Sequence, residues 1–518
     1  MKNQHPNIIF VLTDDQGYGD LGYTGNPWIM TPYLNQFAQV SVRCHNFHVS
    51  PLCTPTRGTL MTGRSPLRHG AWATAWGRSL LRREEITLPS LLANYGYVTG
   101  IFGKWHLGDH YPYRPQHQLF FCYIATNAPH SPYFVSEDYA SPYRNNPNIP
   151  SPEFYGMITN IDQNFGKLRN RIQELGLEEN TILIFMTDNG TSGGWDPQRQ
   201  LGFNAGMRGI KGSYYEGGHR VPFFIYWPKG GLYNRDIFDL LDHTDFFPTL
   251  CSLCSIPLPP SLEFDGYDIS SILKGSPPSP EIKNRIIYLT YRQSFEPPDP
   301  WDNLIMSTEW RLIRGKELYH IQKDPGQTQN VIKVHPDIVQ FLCDRYLEWR
   351  QKVDASGLLP EPFYLGTPEE NPTCLNAMDV LGDIAWNQPH IRQAVRSCGR
   401  WRVKISQRGK YRFSLYRWHP ICSTPINEKI PSLSIPKELQ SSSYTEIHSF
   451  FKEIRSIEAT SATFKIGNHQ TTLPIQNKAN FVSFVVDLAP SELYMEAFFN
   501  LSDGTTLGAY YVIVELLN

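Results

Sequence analysis

The sequence has no apolar run long enough to span a bilayer, which takes about 20 consecutive apolar residues. Its formal net charge is only -2 over 518 residues, so no global field attracts nucleic acid or an anionic membrane. These absences argue against nucleic-acid-binding and membrane proteins, and we expect neither kind of partner.

A secretory leader is also missing from the sequence. Met1–Pro6 is short and polar, and a strand-like run begins at Asn7. As encoded, this pattern predicts a cytoplasmic protein. If the N-terminus is truncated, a periplasmic or secreted protein is expected instead.

Cysteine is sparse and scattered, since the nine residues are an odd number without a regular spacing. This excludes the framework of a small disulfide-rich protein. Cys251 and Cys254 form a single CxxC within the apolar run Phe246–Cys254, which is typical of a helix. Because no second CxxC or histidine pair lies nearby, two buried core thiols are favoured over a redox or zinc site.

The composition is that of a globular protein, with 41% hydrophobic and 19% charged residues, and the length predicts two or three units. In the first half, apolar strand-like runs alternate with helical stretches. The predicted strands are Asn7–Thr13, Val98–Phe102, Phe120–Thr126, Thr181–Thr187 and Val221–Trp227, and the clearest helices are Leu88–Tyr95 and Glu153–Leu175. This alternation predicts an α/β core over residues 1–265, with a mostly parallel central sheet flanked by helices.

The pattern changes after Asp265. Three short strands, Ile286–Tyr291, Trp310–Ile313 and Glu317–Ile321, and the amphipathic helix Pro336–Val353 predict a small α+β subdomain over 266–357. A Pro-, Gly- and Asn-rich linker, Leu358–Pro372, is expected next. Period-two strands then predict an all-β, sandwich-like extension over 373–518, namely Trp401–Ile405, Gly409–Tyr416, Ala462–Ile466, Phe481–Leu488, Leu493–Asn500 and Ala509–Leu516.

Acidic and amide side chains follow two of the buried strands. Asp14 and Asp15 come after the first strand, and Asp188 and Asn189 follow Thr181–Thr187. Ligands bind at the carboxyl ends of parallel strands, and converging carboxylates repel unless a cation lies between them. Single pairs are common turn residues, but together they indicate a site for a hard cation such as calcium or magnesium.

Basic residues recur at matching places after other predicted strands. Lys104 and His106 lie in Gly103–His106, His130 follows Pro129, and Lys211 lies in the glycine-rich loop Gly206–Gly212. Each alone is as readily a solvated or core residue. At one sheet edge they would surround the metal with positive charge, which suits a tetrahedral oxyanion, with the histidines moving protons.

Cys53 lies in Ser50–Gly58 (SPLCTPTRG), which resembles the sulfatase signature Cys-x-Pro-x-Arg, the tag for oxidising that cysteine to formylglycine. Further segments resemble sulfatase motifs in the family's order. They are NIIFVLTDDQGYGDLG near the start, PLCTPTRGTLMTG, GKWHLG, NAPHSP, TDNG, NAGMRGIKGSYYEGGHRVP and ELYHIQKDPGQTQN. The resemblance extends from Met1 to about Ala355 and implies the fold of the alkaline phosphatase superfamily.

The resemblance also implies a maturation step and a metal. Formylglycine made from Cys53 by a formylglycine-generating enzyme would be one metal ligand. The other implied ligands of Ca²⁺, for which Mg²⁺ is the alternative, are Asp14, Asp15, Asp188 and Asn189. The expected substrate is a sulfated small molecule or a sulfated glycan.

Roles for the remaining residues follow from the same resemblance. Arg57 would hold the formylglycine hydrate, while Lys104 and Lys211 bind sulfate oxygens. His106 would orient or deprotonate the hydrate after attack, and His130 would contact the sulfate and assist the leaving group. One hydroxyl of the hydrate attacks sulfur, and loss of the proton from the other expels sulfate, a route that a serine lacks.

One stretch departs from the family. Only Leu107–Pro129 separates the two histidine motifs, and a longer insertion that forms a wall of the substrate pocket is expected there. This leaves two alternatives to an arylsulfatase-type enzyme. One is a formylglycine-dependent phosphonate or phosphodiester hydrolase, and the other is a non-catalytic, degenerate sulfatase. Retention of every polar residue of the core site argues against the second.

Overall fold

The computed structural model describes residues 5–114, 121–353, 359–431 and 454–517. The predicted strand Phe120–Thr126 and the predicted linker Leu358–Pro372 each begin at a residue outside these ranges. Among the described residues, no helix has both the length and the apolar character needed to cross a membrane.

The first region alternates strands and helices, as its sequence pattern predicts. In chain order, its elements are β1 (Asn7–Thr13), α1 (Pro32–Val40), β2 (Val42–His48), α2 (Cys53–Thr62), α3 (Pro66–His69), α4 (Leu88–Asn94), β3 (Ile101–Gly103), β4 (Cys122–Ala125), α5 (Glu137–Ala140), α6 (Pro152–Glu174), β5 (Thr181–Thr187), β6 (Trp195–Asp196), β7 (Leu201–Gly202), α7 (Glu216–His219), β8 (Arg220–Tyr226), β9 (Arg235–Ile237), β10 (Leu241–Asp242), α8 (Phe246–Leu253) and α9 (Ser270–Leu273).

The central sheet has the strand order β10-β2-β8-β5-β1-β4-β3 among the described residues, with β9 beside β2. Alternate residues of β1 pack into apolar clusters on opposite faces, with Phe10 and Leu12 in one and Val11 in the other. Burial on both faces explains why the strand reads as a continuous apolar run. The prediction of an α/β fold is confirmed, but the sheet is mixed, because β8 runs antiparallel to β2 and β5.

The register of the two central strands aligns their carboxyl ends. β1 pairs in parallel with β5 from Asn7 opposite Thr181 to Thr13 opposite Thr187. On its other side β1 pairs in parallel with β4, with Leu12 opposite Ala125. The residues that follow these three strands therefore emerge at one edge of the sheet.

The second region contains an antiparallel sheet of order β11-β12-β13-β14 packed against a long helix. Its elements are α10 (Pro280–Lys283), β11 (Ile287–Thr290), β12 (Asn303–Met306), β13 (Trp310–Ile313), β14 (Glu317–His320) and α11 (Pro336–Val353). The predicted short strands and the predicted amphipathic helix are all present.

Two sheets form the C-terminal region and share one apolar core. Their strands are β15 (Phe363–Leu365), β16 (Thr373–Asn376), β17 (Leu381–Gly382), β18 (Gly399–Ile405), β19 (Gly409–Tyr416), β20 (Ala459–Ile466), β21 (His469–Pro474), β22 (Phe481–Leu488), β23 (Ser491–Leu501), β24 (Thr506–Gly508) and β25 (Tyr511–Leu517), with the helix α12 (Gln388–Arg392) between β17 and β18. The rings of Phe413 and Phe464 meet between the sheets at 4.4 Å.

The prediction that 358–372 is a linker is wrong for part of that segment. Phe363–Leu365 is a strand that pairs in parallel with β18, opposite Val403–Ile405. Its three residues are buried, so apolar side chains outweighed the surrounding proline and glycine residues. The predicted unit boundaries at 265, 357 and 373 otherwise stay predictions. Cys251 and Cys254 are buried thiols, as expected.

Candidate active site

Four side chains gather where β1 and β5 end. Asp14 and Asp15 follow β1, Asp188 and Asn189 follow β5, and all four are buried. The backbone N–H of Asp188 donates to the carbonyl of Thr13 at 3.1 Å, and the N–H of Asp15 donates to Oδ1 of Asp188 at 3.1 Å. Parallel pairing therefore continues into the loops and holds the carboxylates together. Burial, followed by the Asp14 carboxylate, raises the pKa of Asp188.

Two lysines approach these carboxylates from different loops. Nζ of Lys104, which follows β3, lies 2.5 Å from Oδ2 of Asp14. Nζ of Lys211 lies 2.6 Å from Oδ1 and 2.8 Å from Oδ2 of Asp15. The positive charge predicted around the acidic cluster is therefore present, on side chains that are mostly buried.

Cys53 is the first residue of helix α2, every residue of which is buried. Burial raises the pKa of its thiol to about 11, so the unmodified cysteine is a poor nucleophile at neutral pH. Arg57, one helical turn later, is also buried and donates to Oδ2 of Asp188 from Nε and Nη2 at 3.1 and 2.8 Å. Its Nη1 donates to the carbonyl of Lys104 at 2.8 Å, so Arg57 joins three segments of the site.

Two histidines face the same opening. His106 and His130 line a cavity of about 570 Å³ together with Asp14 and Lys104. Burial, followed by the charge of Lys104, holds the pKa of His106 well below its usual range, so its ring is neutral. Nδ1 of His130 donates to the carbonyl of Ser131 at 2.7 Å, and its Nε2 lies 3.7 Å from Oδ2 of Asp15.

The donor set fits a divalent cation. Oδ1 of Asp14 and Oδ1 of Asn189 are buried and have no hydrogen-bond partner among the described residues. Single ligand atoms from Asp14, Cys53 and Asp188 lie within 4.8 Å of one another. Carboxylate and amide oxygens are hard ligands of the kind that calcium and magnesium prefer.

The structure thus brings all ten predicted site residues to one edge of the sheet. One residue was missed. The hydroxyl of Tyr123, in β4, accepts a hydrogen bond from Nη1 of Arg57 at 3.2 Å. No sequence signal distinguishes this tyrosine from the apolar core residues of its strand. Arg208, in the predicted basic loop, points away from the site and donates to the carbonyl of Gln327 at 3.0 Å.

The short segment after His106 turns towards the C-terminal region. The N–H of Tyr111 donates to Oε2 of Glu370 at 2.6 Å, and the hydroxyl of Tyr113 donates to the carbonyl of Pro362 at 3.1 Å. The carbonyl of Tyr113 in turn accepts from Nε1 of Trp105 at 2.9 Å. The C-terminal region therefore holds the segment after His106 in place beside the site.

Fold and site together define a hydrolase class that handles tetrahedral oxyanions beside a metal. The family model described as Sulfatase matches residues 6–112 and 109–256. Human arylsulfatase A is 30% identical over 363 residues, covering 53% of this chain and 69% of that protein. The chain belongs to the sulfatase family, whose members are sulfuric ester hydrolases that generally use formylglycine and a divalent metal.

Solved structures share the fold. The crystal structure of Ps i-CgsB in complex with k-i-k-neocarrahexaose aligns with a TM-score of 0.61 and 22% identity, over 69% of this chain and 95% of that one. The phosphonate monoester hydrolase of Agrobacterium radiobacter aligns with a TM-score of 0.53 and 18% identity, over 67% and 96%. At these identities the likeness concerns the fold alone.

Proposed function

We propose that this chain hydrolyses sulfate esters through a formylglycine made from Cys53, beside a Ca²⁺ ion bound at the ends of β1 and β5. The observation that carries this proposal is that Cys53, at the start of a buried helix, offers its sulfur within 4.8 Å of ligand oxygens of Asp14 and Asp188. Mg²⁺ is the alternative ion. The ion would be held by Asp14, Asp15, Asp188, Asn189 and the modified Cys53.

Each basic residue has a task that its contacts support. Lys104 and Lys211 neutralise Asp14 and Asp15 here and would bind the oxygens of the sulfate group. Arg57 fixes Asp188 and the helix that carries Cys53. A hydrated aldehyde at Cys53 would supply one hydroxyl to attack sulfur and a second to release sulfate, and a divalent cation at this site would lower the pKa of the attacking group.

The two histidines, which line the same cavity, would handle different protons of the reaction. Burial, followed by the charge of Lys104, lowers the pKa of His106 and keeps its ring neutral, so a ring nitrogen would be available to accept the proton whose loss restores the aldehyde. His130 is partly exposed, with 36% of its side chain accessible, and its Nε2 lies 3.7 Å from Oδ2 of Asp15. Its exposure suits the side from which the alcohol departs, where Nε2 would donate a proton to the leaving oxygen.

We assign the substrate to sulfated glycans or small aryl sulfates, and the maturation partner to a formylglycine-generating enzyme. A glycan substrate is supported by the structural neighbour Ps i-CgsB, which was crystallised with a neocarrahexaose. The likeness to a phosphonate monoester hydrolase keeps a phosphonate or phosphodiester as the second candidate, because the same charges would bind either anion.

The test combines maturation and turnover. Mass analysis of protein from the native host should show formylglycine in the Cys53 peptide, while the Cys44 peptide, from an equally buried residue, keeps its thiol. Nitrophenyl sulfate should be hydrolysed faster than nitrophenyl phosphate and phosphonate esters, and Cys53→Ala and Cys53→Ser should abolish turnover. An unmodified Cys53, or a Cys53→Ala variant with full activity, would contradict the proposal.

A further inference from the structure

His110 is buried among carboxylates where the segment after His106 meets the C-terminal region. Nδ1 of His110 lies 3.2 Å from Oε1 of Glu370. Glu370 also accepts the backbone N–H of Tyr111 and pairs with the guanidinium of Arg114. Both carboxylate oxygens of Glu370 therefore already have partners.

The contact with Glu370 decides which ring nitrogen carries the proton. An ionised carboxylate only accepts hydrogen bonds, so Nδ1 of His110 must be the donor. In the neutral ring, Nε2 is then a bare acceptor. It is buried, makes no hydrogen bond within the described residues, and lies 3.4 Å from Oδ1 of Asp109.

Asp379, in the loop between β16 and β17, completes the cluster. Asp109, His110 and Asp379 each offer a ligand atom, and these three atoms lie within 4.8 Å of one another. Asp379 is 5% exposed, and Nδ2 of Asn376 donates to its Oδ2 at 2.8 Å.

Three acceptors that lie this close together, two of them on the buried residues His110 and Asp379, are stabilised by a cation between them. Asp109 and Asp379 bring two carboxylates and their negative charge to this cluster, while the guanidinium of Arg114 is directed to Glu370. A divalent ion would neutralise this charge. A histidine that donates from its other nitrogen to a carboxylate is also the arrangement that orients metal-binding imidazoles.

We propose that Asp109, His110 and Asp379 form a second metal site, distinct from the one beside Cys53, and that it binds Zn²⁺. One imidazole nitrogen and two carboxylate oxygens suit zinc better than calcium, which prefers oxygen alone. Asp109 is largely exposed, with 77% of its side chain accessible, so solvent can supply a fourth ligand. The site is structural and needs no redox chemistry.

The site would tie the loop after His106 to the C-terminal region. Asp109 and His110 come from that loop, and Asp379 comes from the β region. The N–H of Tyr111, from the same loop, already donates to Oε2 of Glu370 in the C-terminal region at 2.6 Å. Bound zinc should therefore raise the thermal stability of the whole chain.

The test uses the full chain, stripped with a chelator and reloaded with Ca²⁺. Zinc content after dialysis and the zinc-dependent shift in Tm are compared for wild type, Asp109→Asn, His110→Gln and a matched control, Asp383→Asn. Asp383 is an exposed aspartate 3.9 Å from Arg396, outside the cluster. Asp109 is exposed too, so its variant should fold.

Wild type and Asp383→Asn should retain one more equivalent of zinc than Asp109→Asn and His110→Gln, and should bind it at least 10-fold more tightly. Equal zinc content in wild type and Asp109→Asn would overturn the proposal. So would a Tm that rises on acidification but not with zinc, since His110 would then be an imidazolium in an ion pair. None of these outcomes depends on whether Cys53 is converted to formylglycine.

Discussion

Arg57 donates two hydrogen bonds to a single oxygen, Oδ2 of Asp188, with both side chains fully buried. The contact joins helix α2, which begins with Cys53, to the end of strand β5. A third bond from Arg57 reaches the carbonyl of Lys104. One guanidinium therefore sets the position of the helix relative to two other segments that carry site residues.

Replacing Arg57 with glutamine should destabilise the fold and abolish activity. The change leaves the Asp188 carboxylate buried without its charged donor, and breaking a buried ion pair in this way costs about 3–5 kcal/mol. Urea unfolding measures the loss. Tyr123→Phe is the control, because it removes one hydrogen bond to Arg57 and should cost about 1 kcal/mol. An Arg57→Gln variant as stable as Tyr123→Phe would show that the ion pair contributes little.

The lysines at the carboxylates should matter for turnover rather than folding. Lys104→Ala and Lys211→Ala should each lower kcat for a sulfate ester by about 100- to 1,000-fold, because each removes a preorganised cation from the charge that develops on the sulfate. Lys167→Ala, at an exposed position of helix α6, is the matched control and should leave kcat unchanged. A similar loss in all three variants would indicate a general effect on stability instead.

The strands and the acidic cluster were predictable because their signals are local. NIIFVLT and TILIFMT are apolar between their polar end residues, and each is followed at once by aspartate, so burial on both faces and the site at the strand ends follow from one pattern. Register is not local. That Thr13 lies opposite Thr187, which brings Asp15 beside Asp188, depends on pairing across 174 residues.

Other features could not be predicted from the sequence, because tertiary contacts override the local sequence pattern. Tyr123 looks like any aromatic core residue, and its hydroxyl acquires a role only through Arg57. Arg208 shares a basic loop with Lys211 but stacks on the ring of Tyr215 at 3.8 Å. Phe363–Leu365 lies among turn-forming residues, and its pairing with β18 is what makes it a strand.

The glycine after Arg57 should tolerate no side chain. A Cβ on Gly58 would lie 2.4 Å from Cε1 of the buried His69 ring. Alanine normally stabilises a helix interior by about 1 kcal/mol relative to glycine, but overpacking should reverse the sign and destabilise Gly58→Ala by about 1–3 kcal/mol. In a His69→Ala background the same change should be neutral or stabilising. An unchanged penalty in that background would place the clash elsewhere.

His69 should also make stability depend on pH. Burial, followed by the charge of Arg64, lowers the pKa of His69 to about 3, and its Nδ1 accepts the N–H of Ala71. Between an unfolded pKa of about 6.5 and this folded value, only the unfolded chain takes up the proton. The contribution of His69 to the free energy of unfolding is therefore fully present above about pH 6.5 and is lost as the pH falls, by about 1.4 kcal/mol for each pH unit.

Urea unfolding of wild type and His69→Gln from pH 7.5 to 4.5 should show that wild type loses stability more steeply as the pH falls. The exposed control His469→Gln should follow wild type. Parallel curves for wild type and His69→Gln would mean that the buried ring is protonated in the folded protein.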